Sequence, residues 1–296
     1  MSLWTFCQHT DATDGLPSLE QTSRWYWLPG WSFRASVFLP LIEVLPGEHW
    51  IGDYQSALTS EPDCDFRSMA QQLADELPED ARPDNTFIIG WSLGGALAMS
   101  MRGAMATKGA IATRGAMTRS CSVITLATGQ TFTHPDGMSQ QVFEQFCQRF
   151  VDSPDKTLSR FHALITQSGS RSQAGQLIRQ LREHTAAALP LSPPDQKSLR
   201  RTLEWLNYEA LPEADQAMFG TEDALLPSTE SESEPSAKRE PSARREPSAN
   251  VRTSGQTLDL SGSHAFFLEP DNLAAVIHQL TNFANRAASL NQEANS

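Results

Sequence analysis

The sequence predicts an α/β protein: a mostly parallel central sheet with an inserted block of helices. Three observations predict it. The compact apolar run Thr86-Phe87-Ile88-Ile89 passes through Gly90-Trp91-Ser92-Leu93-Gly94-Gly95 into the helix-forming Ala96-Leu97-Ala98-Met99. Strand, glycine turn and helix in succession open a parallel βαβ unit. Residues 122–127 are a second buried-strand run, and residues 139–208 then carry helical periodicity with almost no strand pattern.

The elements follow in chain order. Trp25-Tyr26-Trp27-Leu28 is an aromatic strand stopped by Pro29-Gly30. Only 24 residues precede it, so the first hairpin of the sheet is expected to be short or irregular. Phe66, Met69, Ala70, Leu73 and Leu77 repeat at helical spacing, and Pro78 closes that helix. Residues 102–119 read RGAMAT, KGAIAT, RGAMTR, three tandem six-residue units. Each unit carries a helix-weakening glycine, so helix extension and loop both fit.

Four helices are expected in the block. Their stripes are Phe143, Phe146, Cys147 and Phe150; Leu158, Phe161, Leu164 and Ile165; Leu177, Ile178 and Leu181; and Leu199, Leu203 and Leu206. Strands are expected around residues 217–219 and 257–260, and a last amphipathic helix over residues 272–287. Between those strands lie STESESE and three EPSA units with no large apolar residue, which cannot offset their ordering entropy. The resulting division is a core part at 1–130, a helical cap at 131–210, and a second core part at 211–296 with a disordered insertion at about 228–252.

The 296 residues carry a net charge of −12. That balance excludes nucleic acid or an anionic membrane as the main partner, since either needs a basic field. Cys7, Cys64, Cys121 and Cys147 show no CxxC spacing and read as buried or half-buried thiols, with no metal site. No basic-then-apolar leader and no membrane-length apolar run is present, so a soluble, cytoplasmic monomer is expected.

Gly90-Trp91-Ser92-Leu93-Gly94 is G-x-S-x-G in the context the pattern requires. The glycines relieve clashes at a strained strand-to-helix turn, and the helix N-terminus offers free N–H groups to the reacting oxygen. Ser92 is the candidate nucleophile. A serine needs a base, and the base an orienting carboxylate, in the chain order Ser, acid, His. Of the late histidines, His184 and His278 fall in expected helices. His264 follows the strand at 257–260 through Ser261-Gly262-Ser263, at the strand end where open α/β sheets place their sites. Asp223, after Phe219-Gly220, leads as the acid, with its neighbour Glu222 and Asp215 as alternatives. The oxyanion hole is expected from the backbone N–H of Leu93 and of Trp31, with Ser32 next. The Trp31 and Trp91 indoles are candidate walls of an acyl pocket.

At these residues the chain resembles the α/β-hydrolase family, and more narrowly the BioH-type pimeloyl-[acyl-carrier-protein] methyl ester esterases of biotin synthesis. The resemblance rests on Gly90-Trp91-Ser92-Leu93-Gly94-Gly95, Gly30-Trp31, Ser159-Arg160-Phe161-His162-Ala163-Leu164, Gly220 with Asp223, Leu226-Pro227, and His264-Ala265-Phe266. It covers about residues 25–285, and Pro29-Gly30 stands where the family usually has His-Gly. It implies hydrolysis of a methyl ester on a carrier-bound pimeloyl chain, without cofactor, and substrate contacts from Arg160 and Phe161. One charge feature agrees. From Arg149 to Arg201 there are nine Lys/Arg against four Asp/Glu, which suits docking of an acidic acyl carrier protein. A general carboxylesterase or thioesterase is the alternative reading. A non-catalytic interaction module is disfavoured by the complete Ser, Asp and His set.

Overall fold

A computed structural model of the chain describes residues 2–10, 23–60, 63–111, 121–134, 138–167, 171–225 and 256–295. The strands are β1 (Trp4–Thr10), β2 (Arg24–Leu28), β3 (Gly47–Gly52), β4 (Thr86–Trp91), β5 (Ser122–Leu126), β6 (Gln216–Gly220) and β7 (Gln256–Leu260). They form one sheet in the order β1-β3-β2-β4-β5-β6-β7. β1 runs antiparallel to β3, and every other neighbouring pair is parallel. The expected mostly parallel sheet is therefore the one the chain forms.

The sequence reading missed β1 and β3. β1 is mostly exposed or half-buried and its ladder slips between Phe6 and Gln8, so it gives no clean alternation. The irregular start was expected, but not its partner: β1 pairs with β3 rather than forming a hairpin with β2.

The helices are α1 (Leu39–Ile42), α2 (Tyr54–Ser60), α3 (Phe66–Asp75), α4 (Leu93–Ile111), α5 (Gln140–Asp152), α6 (Pro154–Leu164), α7 (Arg171–Glu183), α8 (Pro193–Glu204) and α9 (Pro270–Asn295). Asp65 caps α3 by accepting the Ser68 N–H at 2.7 Å. α3 stops at Asp75, short of the expected Leu77, which a turn onto the Ala74 carbonyl buries instead. α4 takes in the tandem units as far as Ile111, and burial of Met101 and Met105 offsets the glycine cost there. The rest of those units and the expected disordered insertion at 228–252 lie outside the described residues. α9 is longer than expected at both ends.

The middle of the sheet explains the apolar runs. All six residues of β4 and all five of β5 are buried. Parallel strands covered on both faces need continuous apolar sequence. Trp25 stacks on Phe87 at 4.8 Å and Trp27 leans on Phe38 at 5.0 Å, both fully buried. Each such aromatic contributes roughly 1.5–3 kcal/mol of burial. α4 packs on β2, β4, β5 and α3, while α9 meets α1. Helices α5 to α8 connect β5 to β6, and α6 and α8 reach the turn after β2 through His162 and Leu199. Their caps include Ser139, which accepts the Val142 N–H at 3.4 Å, and Ser192, which accepts the Asp195 N–H at 3.3 Å. Among the described residues no helix is long and apolar enough to cross a membrane. None of the four cysteines forms a disulfide; Cys64 and Cys121 are buried, Cys7 and Cys147 half-buried.

Candidate active site

Ser92 stands alone between the last residue of β4 and the first of α4, at φ 53°. A non-glycine residue there costs about 1–2 kcal/mol and persists only where its surroundings enforce it. Here the Ser92 N–H donates to the Leu126 carbonyl at 3.0 Å. Its own carbonyl accepts from the Ala96 N–H and from Thr128 Oγ1, both at 3.1 Å. The flanking glycines have steric causes. A Cβ on Gly90 would strike the Gly94 carbonyl, and one on Gly94 would strike the Leu28 carbonyl at the end of β2. The G-x-S-x-G spacing thus lets β2, β4 and the first turn of α4 approach each other.

The candidate acid and base come from the next strand ends. Asp223 follows β6 and His264 follows β7. The His264 Nδ1 and Asp223 Oδ2 atoms lie 2.7 Å apart, and both side chains are buried. The other carboxylate oxygen accepts the Leu225 N–H at 2.9 Å. A carboxylate only accepts, so Nδ1 carries a ring proton, and in the neutral ring Nε2 is then the nitrogen with the lone pair. Gly220 lets the two loops meet, since a Cβ there would strike the Ser263 and Gly262 carbonyls. Ser263 donates through N–H and Oγ to Glu269 Oε1 at 2.9 and 2.8 Å, fixing the turn before His264. Trp91 ties β4 to that turn: its Nε1 donates to the His264 carbonyl at 2.9 Å.

His264 Nε2 is buried and makes no hydrogen bond among the described residues. Asp223 and His264 are therefore joined, while the Ser92 hydroxyl stands at the same sheet edge without a hydrogen bond to the ring. Apo sites commonly show this last bond loose.

The rivals are engaged elsewhere. Asp215 precedes β6, accepts the Val123 N–H at 2.8 Å and pairs with Arg102 at 2.9 Å. Glu222 is exposed and accepts from Ser261 Oγ at 3.3 Å. His278 is exposed on α9. His184 is not helical as expected; it lies just past α7, where Nδ1 shares a 3.1 Å hydrogen bond with Ser36 Oγ.

Leu93 opens α4, where the first helical N–H groups have no partner within the helix. Trp31 lies in a turn closed by the Phe33 N–H on the Gly30 carbonyl at 3.2 Å. Tyr54 supports that turn from below, its hydroxyl donating to the Pro29 carbonyl at 3.0 Å. The Trp31 indole points into the helices: Nε1 donates to the Leu199 carbonyl at 2.8 Å, and Phe161, Phe150 and Phe146 meet its ring edge-on at 4.9, 5.5 and 5.8 Å. Trp31 and Phe161 are thus brought together. Trp91 packs between Phe33 and Phe267. Arg160 is exposed, one position from the buried Phe161.

One buried residue of the stretch that carries the resemblance was given no role from the sequence. His162 of α6 shares a 2.9 Å hydrogen bond with Ser32 Oγ, next to Trp31. Burial, with the nearby Arg182 charge second, pushes its pKa down to about 4. A signal existed. Leu158, Phe161, His162 and Ile165 form the buried stripe of α6, whereas Leu164 is only half-buried. A histidine at i+4 of an apolar face needs a polar partner.

A cavity of about 490 Å³ borders the same turn, lined by Pro29, Phe33, Arg34, Tyr54 and Leu199, with neither Ser92 nor His264 in its wall. Of the basic residues of α5 to α8, Arg149, Lys156, Arg160, Arg179, Arg182, Lys197 and Arg200 are exposed. Arg200 pairs with Glu204, and Arg201 donates to the Asp63 carbonyl at 3.1 Å.

A glycine-flanked serine at positive φ before a helix, with an Asp–His pair at the ends of β6 and β7, is the arrangement a hydrolase of this α/β class would use. The chain belongs to the alpha/beta hydrolase family, whose model matches residues 26–276. It is 30% identical over 182 residues to the biotin biosynthesis bifunctional protein BioHC of Teredinibacter turnerae, covering 55% of this chain and 28% of that one. It is 28% identical over 216 residues to the protein of the same name from Saccharophagus degradans, covering 69% of this chain and 36% of that one. The chain thus aligns to about a third of the length of these relatives. Among solved structures, an esterase from Exiguobacterium antarcticum shares the fold with a TM-score of 0.56 at 12% identity, covering 88% of this chain and 91% of that one.

Proposed function

We propose that the chain is a serine carboxylesterase with Ser92 as nucleophile, His264 as base and Asp223 as its orienting acid. The observation that carries this is the buried 2.7 Å Asp223–His264 contact at the sheet edge that also bears the strained Ser92. His264 Nε2 takes the Ser92 proton as Oγ bonds to the ester carbonyl carbon. Asp223 holds the tautomer and stabilises the imidazolium. The Leu93 and Trp31 amides receive the oxyanion. The C–O bond to the alcohol breaks, and His264 Nε2 gives the leaving oxygen its proton. Water, deprotonated by His264 Nε2, then attacks the acyl-serine carbonyl carbon; the Oγ–acyl bond breaks, the acid leaves, and the same proton returns to Ser92 Oγ. The chemistry uses side chains and amides of this chain alone.

The substrate we propose is the methyl ester of pimeloyl-[acyl-carrier protein], with methanol as the product. Two findings support it: the likeness to proteins named for biotin biosynthesis, and the exposed basic side chains on α5 to α8. Arg160 and its neighbours meet the acidic carrier, in the cytoplasm and with the chain as a monomer, while Phe161, Trp31 and Trp91 wall the acyl chain. Side-by-side turnover of the carrier-bound methyl ester and of a free short methyl ester tests the assignment. The expected result is a preference for the carrier-bound form that declines with added salt. Equal turnover of both at low salt would instead make the chain a general esterase.

A further inference from the structure

We infer that His162 is a positioning residue for the oxyanion hole, acting through Ser32, so that the helices α5 to α8 hold the hole in shape. The inference rests on the proposed role of the Trp31 amide. Trp31 and Ser32 are the two central residues of the turn that the Phe33 N–H closes on the Gly30 carbonyl. Ser32 has φ 71°, a conformation that the third residue of such a turn usually meets with glycine. Its side chain is what glycine would lack, and that side chain ends on His162 Nε2 at 2.9 Å, with both residues buried.

The rest of the loop is bound to the connection that follows α7. The Ser32 carbonyl accepts the Ala186 N–H at 2.8 Å, and the Arg34 N–H donates to the His184 carbonyl at 2.8 Å. Phe33 and Thr185 form an isolated antiparallel bridge. The Trp31 indole is tied to α8 through Leu199. On the sheet side, the Tyr54 hydroxyl reaches the carbonyls of Pro29 and Gly30, at the start of the turn. The part of the turn that follows the Trp31 amide is therefore held by α6 through the His162 side chain and by the connection after α7 through backbone hydrogen bonds. A displacement of α6 moves Ser32 and reorients the neighbouring peptide.

Ser32 and His162 are not a second catalytic pair. Among the described residues no carboxylate is hydrogen-bonded to His162; its ring packs on Phe33 at 4.9 Å, and the nearby charge is that of Arg182. A base needs an orienting acid, and this one has a cation.

The test compares wild type with Ser32→Gly, His162→Phe, His162→Gln and the Ser32→Gly/His162→Phe double variant. The readouts are steady-state hydrolysis of p-nitrophenyl butyrate, inhibition by a trifluoromethyl ketone, which forms an oxyanion on the serine, and thermal midpoint. Ser32→Gly relieves the backbone and should keep or raise the midpoint, yet lower kcat about tenfold with KM nearly unchanged. The ketone Ki should rise by the same factor, because it samples the same hole. His162→Phe should match it, the double variant should be no worse than either, and His162→Gln should recover part of the loss. Wild-type kcat and ketone Ki in a folded Ser32→Gly overturn the inference, as does a loss confined to KM. Ser92→Ala runs alongside: activity surviving in that variant would remove the catalytic reading itself, a failure distinct from that of the His162 role.

Discussion

Two serine–histidine couples, Ser32 with His162 and the proposed Ser92 with His264, differ in what stands behind the imidazole. Ser32 and His162 share a 2.9 Å hydrogen bond, whereas His264 Nε2 has no partner among the described residues. Distance alone would favour Ser32 and His162 over the proposed couple. The difference lies in what stands behind each ring. His264 has the buried Asp223 carboxylate on Nδ1, which orients the ring and would stabilise its charged form. His162 has burial and the Arg182 charge, which hold its pKa near 4 and make it a weak base. Ser92 also opens a nineteen-residue helix, whose first N–H groups can meet an oxyanion, while Ser32 opens none. A hydroxyl beside an imidazole becomes a nucleophile through its third partner and its local field. Proximity without them gives a structural hydrogen bond.

Ser92→Ala is the largest expected break. Esterase turnover should fall by about 10⁴-fold or more, with the thermal midpoint retained and fluorophosphonate labelling lost. Labelling that persisted at Ser32 would reverse the ranking of the two couples. Asp223→Asn removes the partner that distinguishes His264, and should lower kcat by about 10³–10⁴-fold while the fold survives. The third prediction concerns acid. His162 and His49 have pKa values pushed by burial from 6.5 to about 4. The unfolded chain then binds more protons than the native one between those values. Their stabilisation is complete above pH 6.5 and is lost as pH falls toward 4, by at most about 3 kcal/mol each. His49 has a local cause: Trp27 Nε1 donates to its Nδ1 at 3.1 Å, so that nitrogen has to stay unprotonated. Thermal midpoints from pH 7.5 to 4.5 should fall steadily, and His162→Phe should flatten part of that slope. A flat profile in the wild type would contradict both environments. The smallest effect is Thr128→Val, which removes hydrogen bonds to the Leu126 and Ser92 carbonyls at 2.9 and 3.1 Å. About 1 kcal/mol of stability and a few-fold of kcat should go with them, read by denaturation and steady-state kinetics.

Much of the frame was legible because it is written in local patterns. The strand–turn–helix run around Ser92 is continuous in sequence, and its glycines are demanded by contacts within a few residues or with the next strand. The stripes of α5, α6, α7 and α8 repeat at helical spacing, and His264 stands a short turn after its strand. The margins were less legible. β1 is half-exposed and carries a bulge, so its side chains do not alternate, and its pairing with β3 depends on a partner about forty residues away in the chain. His162 was passed over in favour of Leu164 because helical spacing admits either beside Phe161, and only the neighbours on both sides decide which one is covered.

By itself the sequence determined the order of the strands β2, β4, β5, β6 and β7 and of the helices α3 to α9, the glycine-flanked turn at Ser92, and the chain order of the proposed serine, acid and histidine. Each follows from backbone sterics and from apolar spacing that neighbouring residues read directly. The tertiary structure decided which carboxylate serves His264: Asp215 is spent on Val123 and Arg102, while Asp223 faces the ring across two loops that Gly220 lets touch. It also decided that the turn bearing Trp31 is fastened to helices about 130 to 168 residues further along the chain. Such contacts depend on where distant segments are brought by the closing of the sheet and the docking of the helices, and no local spacing encodes them.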